Sequence, residues 1–195
     1  MQWSAMKLTA AGFVHRKDIN WDELQPLALD LINQALEVQE NQAAISLPLA
    51  PSALAGFSEA ALPSDFQKAR AVFSGTQELT PSDIQSMLAR GGFGMARFYA
   101  VTGMKIIATA ASPLALVYSQ RIPVLVADSD HNWLSDRYSG VLLYGLLVQA
   151  VQKIQDFDAL ENHRGEFDRN VLEANMNSAM SAGAEARTPY GQVSN

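Results

Sequence analysis

The pattern in this sequence that comes nearest to a metal site is the run Asp128, Asp130 and Asn132. These side chains match the first, third and fifth positions of an EF-hand calcium loop. Such a loop also requires glycine at its sixth position and a bidentate glutamate at its twelfth, where this chain has Trp133 and Ser139. We therefore interpret the run as a polar turn in which Asp130 or Asn132 caps the following helix, and we expect no metal ion.

A glycine-rich segment, RGGFGMAR, superficially resembles a phosphate-binding loop through Gly91, Gly92 and Gly94. A dinucleotide-binding fingerprint follows a strand and opens a helix. This segment instead follows a predicted helix and precedes a predicted strand, and Arg97 stands where the third glycine belongs. The pattern favours a flexible turn, so we expect no cofactor.

Nucleophilic and acid-base chemistry has equally weak support. Residues 56–60 read GFSEA, one substitution away from a nucleophile elbow, but no strand-to-helix setting is predicted around Ser58. The three histidines lie far apart in the sequence: His15, His131 and His163. Cysteine is absent, which removes thiolate nucleophiles and Cys-ligated metals. We expect no catalytic residue, although carboxylates that meet only in the fold would leave no trace in the sequence.

Composition narrows the function classes further. The 195 residues include 14 Lys and Arg against 20 Asp and Glu, for a net charge of −6, and 48% are hydrophobic. No basic cluster of the kind that grips nucleic-acid phosphates is present. The longest apolar run, residues 141–148, is far shorter than the ~20 residues of a membrane-spanning helix, and no secretory signal is recognisable. We expect a protein that forms a real core, avoids membranes and stays where it is made.

The elements that would position these residues are mostly helices. Apolar periodicity and capping signals predict helices over residues 3–15, 22–40, 81–90, 132–150 and 157–182. In the first two helices the predicted buried stripes are Trp3, Met6, Ala10 and Phe13, and then Leu24, Leu27, Leu31, Ala35 and Val38. Asn20 is the predicted N-cap of the second helix, and Thr80 with Pro81 at the first helical position predicts the start of the third.

The middle of the chain changes its period from 3.6 to 2. Residues 97–121 are rich in β-branched and aromatic residues and predict an antiparallel β-meander, while the Ala- and Pro-rich residues 43–61 predict short strands and loops. The fold class is therefore α+β and mainly helical: a helical bundle with a small antiparallel sheet inserted between N-terminal and C-terminal helices. We expect one domain over residues 1–183, followed by a flexible tail over residues 184–195.

The second half of the chain resembles the head-to-tail adaptor (connector) family of tailed bacteriophages. That family has a strand pair ending in Arg-Ile-Pro, a short polar linker, an Asn-Trp-Leu helix start and an apolar helix with a central Tyr-Gly. The corresponding residues here are Arg121, Ile122, Pro123, Asn132, Trp133, Leu134, Tyr144 and Gly145. The segments LPSDF (residues 62–66) and HRKDI (residues 15–19) resemble further parts of the family pattern, whereas residues 43–61 depart from it.

The resemblance implies a structural virion protein at the head-to-tail junction. Its members form a homo-oligomeric ring, commonly of twelve copies, between the portal protein and a tail or nozzle protein, and DNA passes through the lumen without specific binding. Within the flexible C-terminal tail of this chain, the residues expected to touch the portal are Arg187, Pro189, Tyr190 and Val193. The alternatives are another neck or tail-completion protein and a tail-associated cell-wall hydrolase.

Charge patterning is compatible with such a ring. The net charge is −3 over residues 1–43, +2 over residues 44–125 and −5 over residues 126–195. A head-to-tail ring needs two different, complementary faces on each copy. Arg164, which falls within the apolar stripe of the last predicted helix, is expected either to pair with an acid or to face a partner chain.

Overall fold

Among the residues that the structure describes, most helices and all strands belong to separate units. A computed structural model describes residues 1–16, 18–90, 97–110 and 113–185. A helical unit comprises the described parts of Met1–Glu40 and Ile122–Asn195, and a sheet unit comprises those of Asn41–Arg121. The α+β class with a sheet inserted between N-terminal and C-terminal helices is therefore confirmed.

The helices among the described residues are α1 (Trp3–Val14), α2 (Trp21–Ala35), α3 (Ile84–Arg90), α4 (Trp133–Arg137), α5 (Ser139–Ile154) and α6 (Phe157–Glu185). A single 3-10 turn, Gln39–Asn41, lies where the chain leaves the helical unit.

Helix α5 is the centre of the helical unit. It contacts α1, α2, α4 and α6. Its buried residues, each no more than 2% exposed, include Val141, Leu142, Leu146, Leu147, Val148, Ala150 and Val151. Burial of this nearly continuous apolar surface, which contains the apolar run over residues 141–148, against four neighbours stabilises the unit.

Gly145 lets two of those neighbours approach the middle of α5 closely. A Cβ atom built at this position would lie 3.0 Å from Ile32 Cδ1 of α2 and 3.6 Å from Phe167 Cε2 of α6. Both side chains are fully buried. The absence of a side chain at Gly145 thus sets how tightly α2 and α6 pack on α5.

The buried face of α2 differs from the predicted one. Its buried residues are Trp21, Leu24, Gln25, Ala28, Leu29 and Ile32, whereas Leu27 is 53% exposed. In α1, Trp3, Met6 and Ala10 are buried as expected, but Phe13 is 49% exposed. Both stripes consist of residues three and four apart, and α2 carries apolar residues on a broad arc. The packing against α5, which the local sequence does not contain, selects which part of the arc is buried.

Several helix boundaries differ from the predicted ones. The second helix ends at Ala35 and not near residue 40. The helix expected over residues 132–150 is two helices, because Tyr138 adopts a non-helical conformation (φ −124°, ψ 43°) between α4 and α5. The last helix continues through Glu185, so the first two residues of the expected tail are helical. Residues 186–195 lie outside the described part of the chain.

The strands among the described residues are β1 (Gln42–Leu47), β2 (Ala50–Pro51), β3 (Ser58–Ala61), β4 (Phe66–Ser74), β5 (Gln77–Glu78), β6 (Thr80–Pro81), β7 (Phe98–Thr102), β8 (Lys105–Ala108) and β9 (Leu114–Gln120). They form one sheet in the order β1-β9-β4-β5 and another in the order β2-β3-β8-β7-β6. All pairs are antiparallel except β6 with β7.

The expected three-stranded meander over residues 97–121 is wrong in its last step. Strands β7 and β8 form a hairpin around Gly103, whose φ of 57° suits glycine. Strand β9 instead joins the other sheet, between β1 and β4. Its inward side chains Leu114, Leu116 and Tyr118 are buried there. Pairing on both sides satisfies more of its backbone than a place at the hairpin's edge would.

The predicted cap of the third helix is also corrected. Thr80 and Pro81 form β6, where the Thr80 N–H donates to Arg97 O at 2.7 Å. The cap is Asp83, whose Oδ1 accepts from the Ser86 N–H at 2.7 Å. Hydrogen bonds from Ser86 hold the pKa of Asp83 below its ordinary value. Pairing with β7 thus prevails over the local Thr-Pro signal and moves the helix start to Ile84.

Substitution of Gly145 tests the packing of the helical unit. Gly145→Val should lower the free energy of unfolding by about 1 to 3 kcal/mol, because its side chain must displace Ile32 and Phe167 in a filled core. The control is Gly165→Ala on α6, where a new Cβ meets nothing within 4 Å. This change should raise stability by about 0.5 to 1 kcal/mol through helix propensity alone. Urea unfolding measures both, and a Gly145→Val protein as stable as the parent would refute the close packing.

Candidate interaction surfaces

The Arg-Ile-Pro motif lies where the chain re-enters the helical unit. Arg121 ends the sheet unit, and its N–H donates to Asp65 O at 2.7 Å. Ile122 is 4% exposed within the helical core, and its N–H donates to Asn33 Oδ1 at 3.3 Å. Pro123 lies three positions beyond the last residue of β9, Gln120, so it does not itself terminate the strand. The motif therefore anchors the connection between the two units.

The polar linker after Pro123 is held by side-chain to backbone hydrogen bonds. Asp130 Oδ2 accepts from the N–H groups of Val126 and Ala127 at 2.9 and 2.8 Å, and these bonds, that of Ala127 first, hold the pKa of Asp130 low. Asn132 caps α4 and forms a capping box with Ser135. The interpretation of this run as a capping turn is therefore confirmed.

The acidic side chains of the calcium-like run contact other groups of the protein. Asp128 forms an ion pair with Lys7 Nζ at 2.7 Å. In the described ranges, which omit residues 17, 91–96, 111–112 and 186–195, no group of three or more His, Asp or Glu side chains could hold a metal ion. Asp128 thus pairs with a side chain of α1, whereas Asp130 binds backbone groups of the turn itself.

Trp133 and Leu134 differ in burial at the start of α4. Leu134 is fully buried, whereas Trp133 is half-buried and lies edge-on against Tyr138, with ring centroids 6.1 Å apart. A fully buried indole belongs instead to Trp3, whose Nε1–H donates to Asp22 Oδ1 at 2.8 Å. Trp3 thus lies on the buried stripe predicted for the first helix.

The histidines have separate neighbours. His15 occupies the left-handed C-cap of α1, and His131 Nδ1 lies 2.8 Å from Asp136 Oδ2. The His163 ring packs against Phe13 and Tyr144, with centroid distances of 6.4 and 6.2 Å. Tyr144 therefore belongs to an aromatic cluster between α1, α5 and α6. Phe13 contributes to this cluster although half of its side chain is exposed.

The suspected nucleophile has no elbow around it. Ser58 is the first residue of β3, opposite Pro51 in an antiparallel pair. The strand leads to β4 and not to a helix. The glycines of the phosphate-loop pattern, Gly91, Gly92 and Gly94, lie outside the described residues, as do the expected portal-contact residues Arg187, Pro189, Tyr190 and Val193.

A small polar groove of about 160 Å³ lies in the helical unit at the start of α5. Its lining includes Arg137, Tyr138, Asn170 and Glu173. Arg137 forms an ion pair with Glu40, and burial together with Glu40 raises the pKa of the Tyr138 hydroxyl. The groove is smaller than ordinary ligand pockets, and its cation, Arg137, is paired within the protein.

The outward face of α6 is a more prominent surface. Leu172, Met176 and Met180 follow one another at intervals of four residues and are 54% to 63% exposed. The opposite face carries Phe167 and Val171 into the core. We call the three exposed residues the α6 stripe. Apolar side chains that share one helix face in solvent are typical of protein contact surfaces.

Charged residues border the N-terminal half of α6. Arg164 pairs with Asp168 at 3.5 Å and lies over the Phe167 ring at 5.8 Å, so it meets the expectation of an acidic partner within the chain. Arg169 pairs with Glu166. These exposed pairs add little stability and leave a polar surface next to the α6 stripe.

The two units differ in charge. The helical unit's segments contain 8 Lys and Arg against 16 Asp and Glu, and the sheet unit's contain 6 against 4. Their net charges are thus −8 and +2. The two acidic ends of the sequence thus belong to one unit, because residues 1–40 and 122–195 fold together. The net negative charge is therefore concentrated in the helical unit.

The burial difference between the two tryptophans generates a stability test. Trp3→Ala should cost about 3 to 5 kcal/mol of unfolding free energy, since it empties a filled site and leaves the α1 to α2 contact open. Trp133→Ala should cost distinctly less, because part of its ring already faces water. Thermal and urea unfolding of both variants measure the order, and a larger loss for Trp133→Ala would contradict the structure.

Comparisons with known proteins bear on these surfaces. A family model described as SU10 adaptor protein matches residues 1–190. No curated protein matches the chain. In the described ranges, the structure contains no helix long and apolar enough to cross a membrane.

Proposed function

The chain belongs to the SU10 adaptor protein family, and from this premise we propose that it forms a ring between the portal and the tail at the head-to-tail junction of a phage virion. Membership makes it a bacteriophage adaptor, and so a structural protein of the virion. The observation that carries the proposal is the extent of the match, residues 1–190 of 195.

A ring that lines a DNA channel needs walls to which the duplex does not stick. The helical unit, at −8, repels phosphates instead of neutralising them. Specific and nonspecific DNA binding both depend on clustered basic side chains. The charge distribution therefore supports a conduit and not a DNA-binding module.

Ring assembly requires each copy to present two different faces. A head-to-tail contact that closes joins one surface of a copy to a different surface of the next. The acidic helical unit with the α6 stripe and the net positive sheet unit supply two such surfaces with opposite charge. We propose that they meet between neighbouring copies, commonly twelve in this kind of ring, with a tail or nozzle protein attached below.

The proposed role is structural and not enzymatic. Family membership favours that role, and the suspected nucleophile Ser58 lies in a strand ladder.

Assembly on the portal tests the proposal directly. The free protein should be a monomer or weakly associated, and mixing with purified portal protein should produce a closed ring, measured by native mass spectrometry. Met176→Glu should prevent ring closure while leaving the melting temperature unchanged, because Met176 is 54% exposed. Gln152→Glu, which places the same side chain at another exposed helix position, on α5, is the control. A stable free dimer that ignores portal would refute the proposal.

The C-terminal residues are proposed to contact the portal through Arg187, Pro189, Tyr190 and Val193. Because α6 continues through Glu185, the informative truncation removes residues 186–195 and leaves that helix whole. The truncated chain should keep its melting temperature and lose portal affinity, measured by sedimentation with portal protein. Unchanged affinity would place the portal contact elsewhere, with the α6 stripe as the next surface to test.

A further inference from the structure

Strand edges of the sheet unit are protected to very different degrees. An exposed edge offers unpaired backbone N–H and C=O groups to any other strand, and proteins commonly blunt it with short strands, proline, charge or bulges. The outermost strands β2, β5 and β6 contain two residues each. Two of them include proline, at Pro51 and Pro81, and the third includes Glu78.

The part of β4 that β5 does not cover is blunted in other ways. Its ladder with β9 has irregular register between Phe66 and Lys68 and between Ala69 and Ala71. Such bulges twist an edge away from a regular partner. Lys68 and Arg70 add charge along the same stretch.

Strand β1 has none of these protections. Its six residues, Gln42–Leu47, pair with β9 in unbroken register, and no strand in the described ranges pairs with its other side. It contains no charged residue and no proline. Of the four outermost strands among the described residues, β1 is the one whose free edge is long, regular and uncharged.

The core-side face of the sheet is also incomplete at β1. Ala43, Ile45 and Leu47 lie opposite Tyr118, Leu116 and Leu114 of β9, the inward side chains of that strand. Leu116 is fully buried, yet its neighbour Ile45 is 41% exposed. An apolar side chain from an additional strand, placed beside Ile45, would complete this layer.

We infer that β1 is a docking edge that accepts an extended segment of a different protein as an added strand of the sheet. The occupant is a stretch of about six residues with an apolar side chain toward Ile45 and no charged side chain facing the edge. A charge there would lose water and find no opposite charge on β1. This mode of recognition gains affinity from main-chain hydrogen bonds and specificity from alternate side chains.

A second copy of the chain fits the edge less well. Pairing of β1 with itself is a two-fold contact that closes at two copies. Six residues span only about 20 Å, so the contact area falls far below the roughly 1,200 Å² of a stable interface. A segment of a neck protein that the ring also holds elsewhere overcomes this limit, because its local concentration is high. The inference thus rests on the proposed function.

Amide hydrogen exchange in the virion tests the docking edge. Exchange over residues 42–47 should be about tenfold slower in virion necks than in the free full-length chain, because the outward amides gain partners. Ile45→Lys should abolish this slowing, because it places a charge on the apolar layer that the added strand would cover. The free chain should still fold, since the position is 41% exposed and the ammonium group can reach water. The control is Met104→Lys in the β7 to β8 turn, an exposed apolar site of the same unit.

A cross-link identifies the occupant. The chain lacks cysteine, so Ala44→Cys accepts a benzophenone maleimide at one defined place beside the edge. An adduct with a different neck protein supports the inference, and an adduct with a second copy overturns it. If the chain is present in the neck but its exchange over residues 42–47 is unchanged, the inference about β1 is refuted and the proposed function is not. Absence of the chain from the neck overturns the proposed function together with the inference.

Discussion

The close approach of three helices at Gly145 is the constraint on which the helical unit depends. Helix α5 is apolar on nearly every side, so it is stable in water only when α1, α2, α4 and α6 cover it together. Gly145 allows Ile32 and Phe167 to reach its middle. The same packing leaves the α6 stripe as the face turned away from the core. One apolar face of α6 thus remains in solvent, because the opposite face packs against α5.

The sheet unit is an insertion in the sequence of the helical unit. Residues 41–121 fold as a separate unit between two parts of the helical unit, and the crossing back is anchored by Ile122, Leu125 and the capping turn at Asn132. Leu125 illustrates the anchoring: its N–H donates to Oε1 of the buried Gln25 at 3.0 Å. The residues of the Arg-Ile-Pro and Asn-Trp-Leu patterns lie at or shortly after this crossing, and those of the Tyr-Gly pattern lie in the central helix α5.

Local signals predicted much of this structure, and long-range pairing accounts for most of what they missed. The caps at Asn20 and Asn132 and the burial of α5 depend on neighbouring residues, so they were predictable. The pairing of β9 with β1 joins residues about seventy positions apart and has no local signature. For the same reason Thr80 was assigned to a helix and Leu27 to the core. The α6 stripe was missed because its residues also fit a buried stripe, and the exposed core-side position of Ile45 follows only from the sheet order.

A map of the intact virion neck, obtained by electron cryomicroscopy, tests the central claim most directly. The account predicts a ring of this chain between portal and tail, with acidic side chains of the helical unit on the lumen and the α6 stripe covered by the next copy. Density that places the chain elsewhere in the virion, or as isolated copies whose α6 stripe faces solvent, would contradict it.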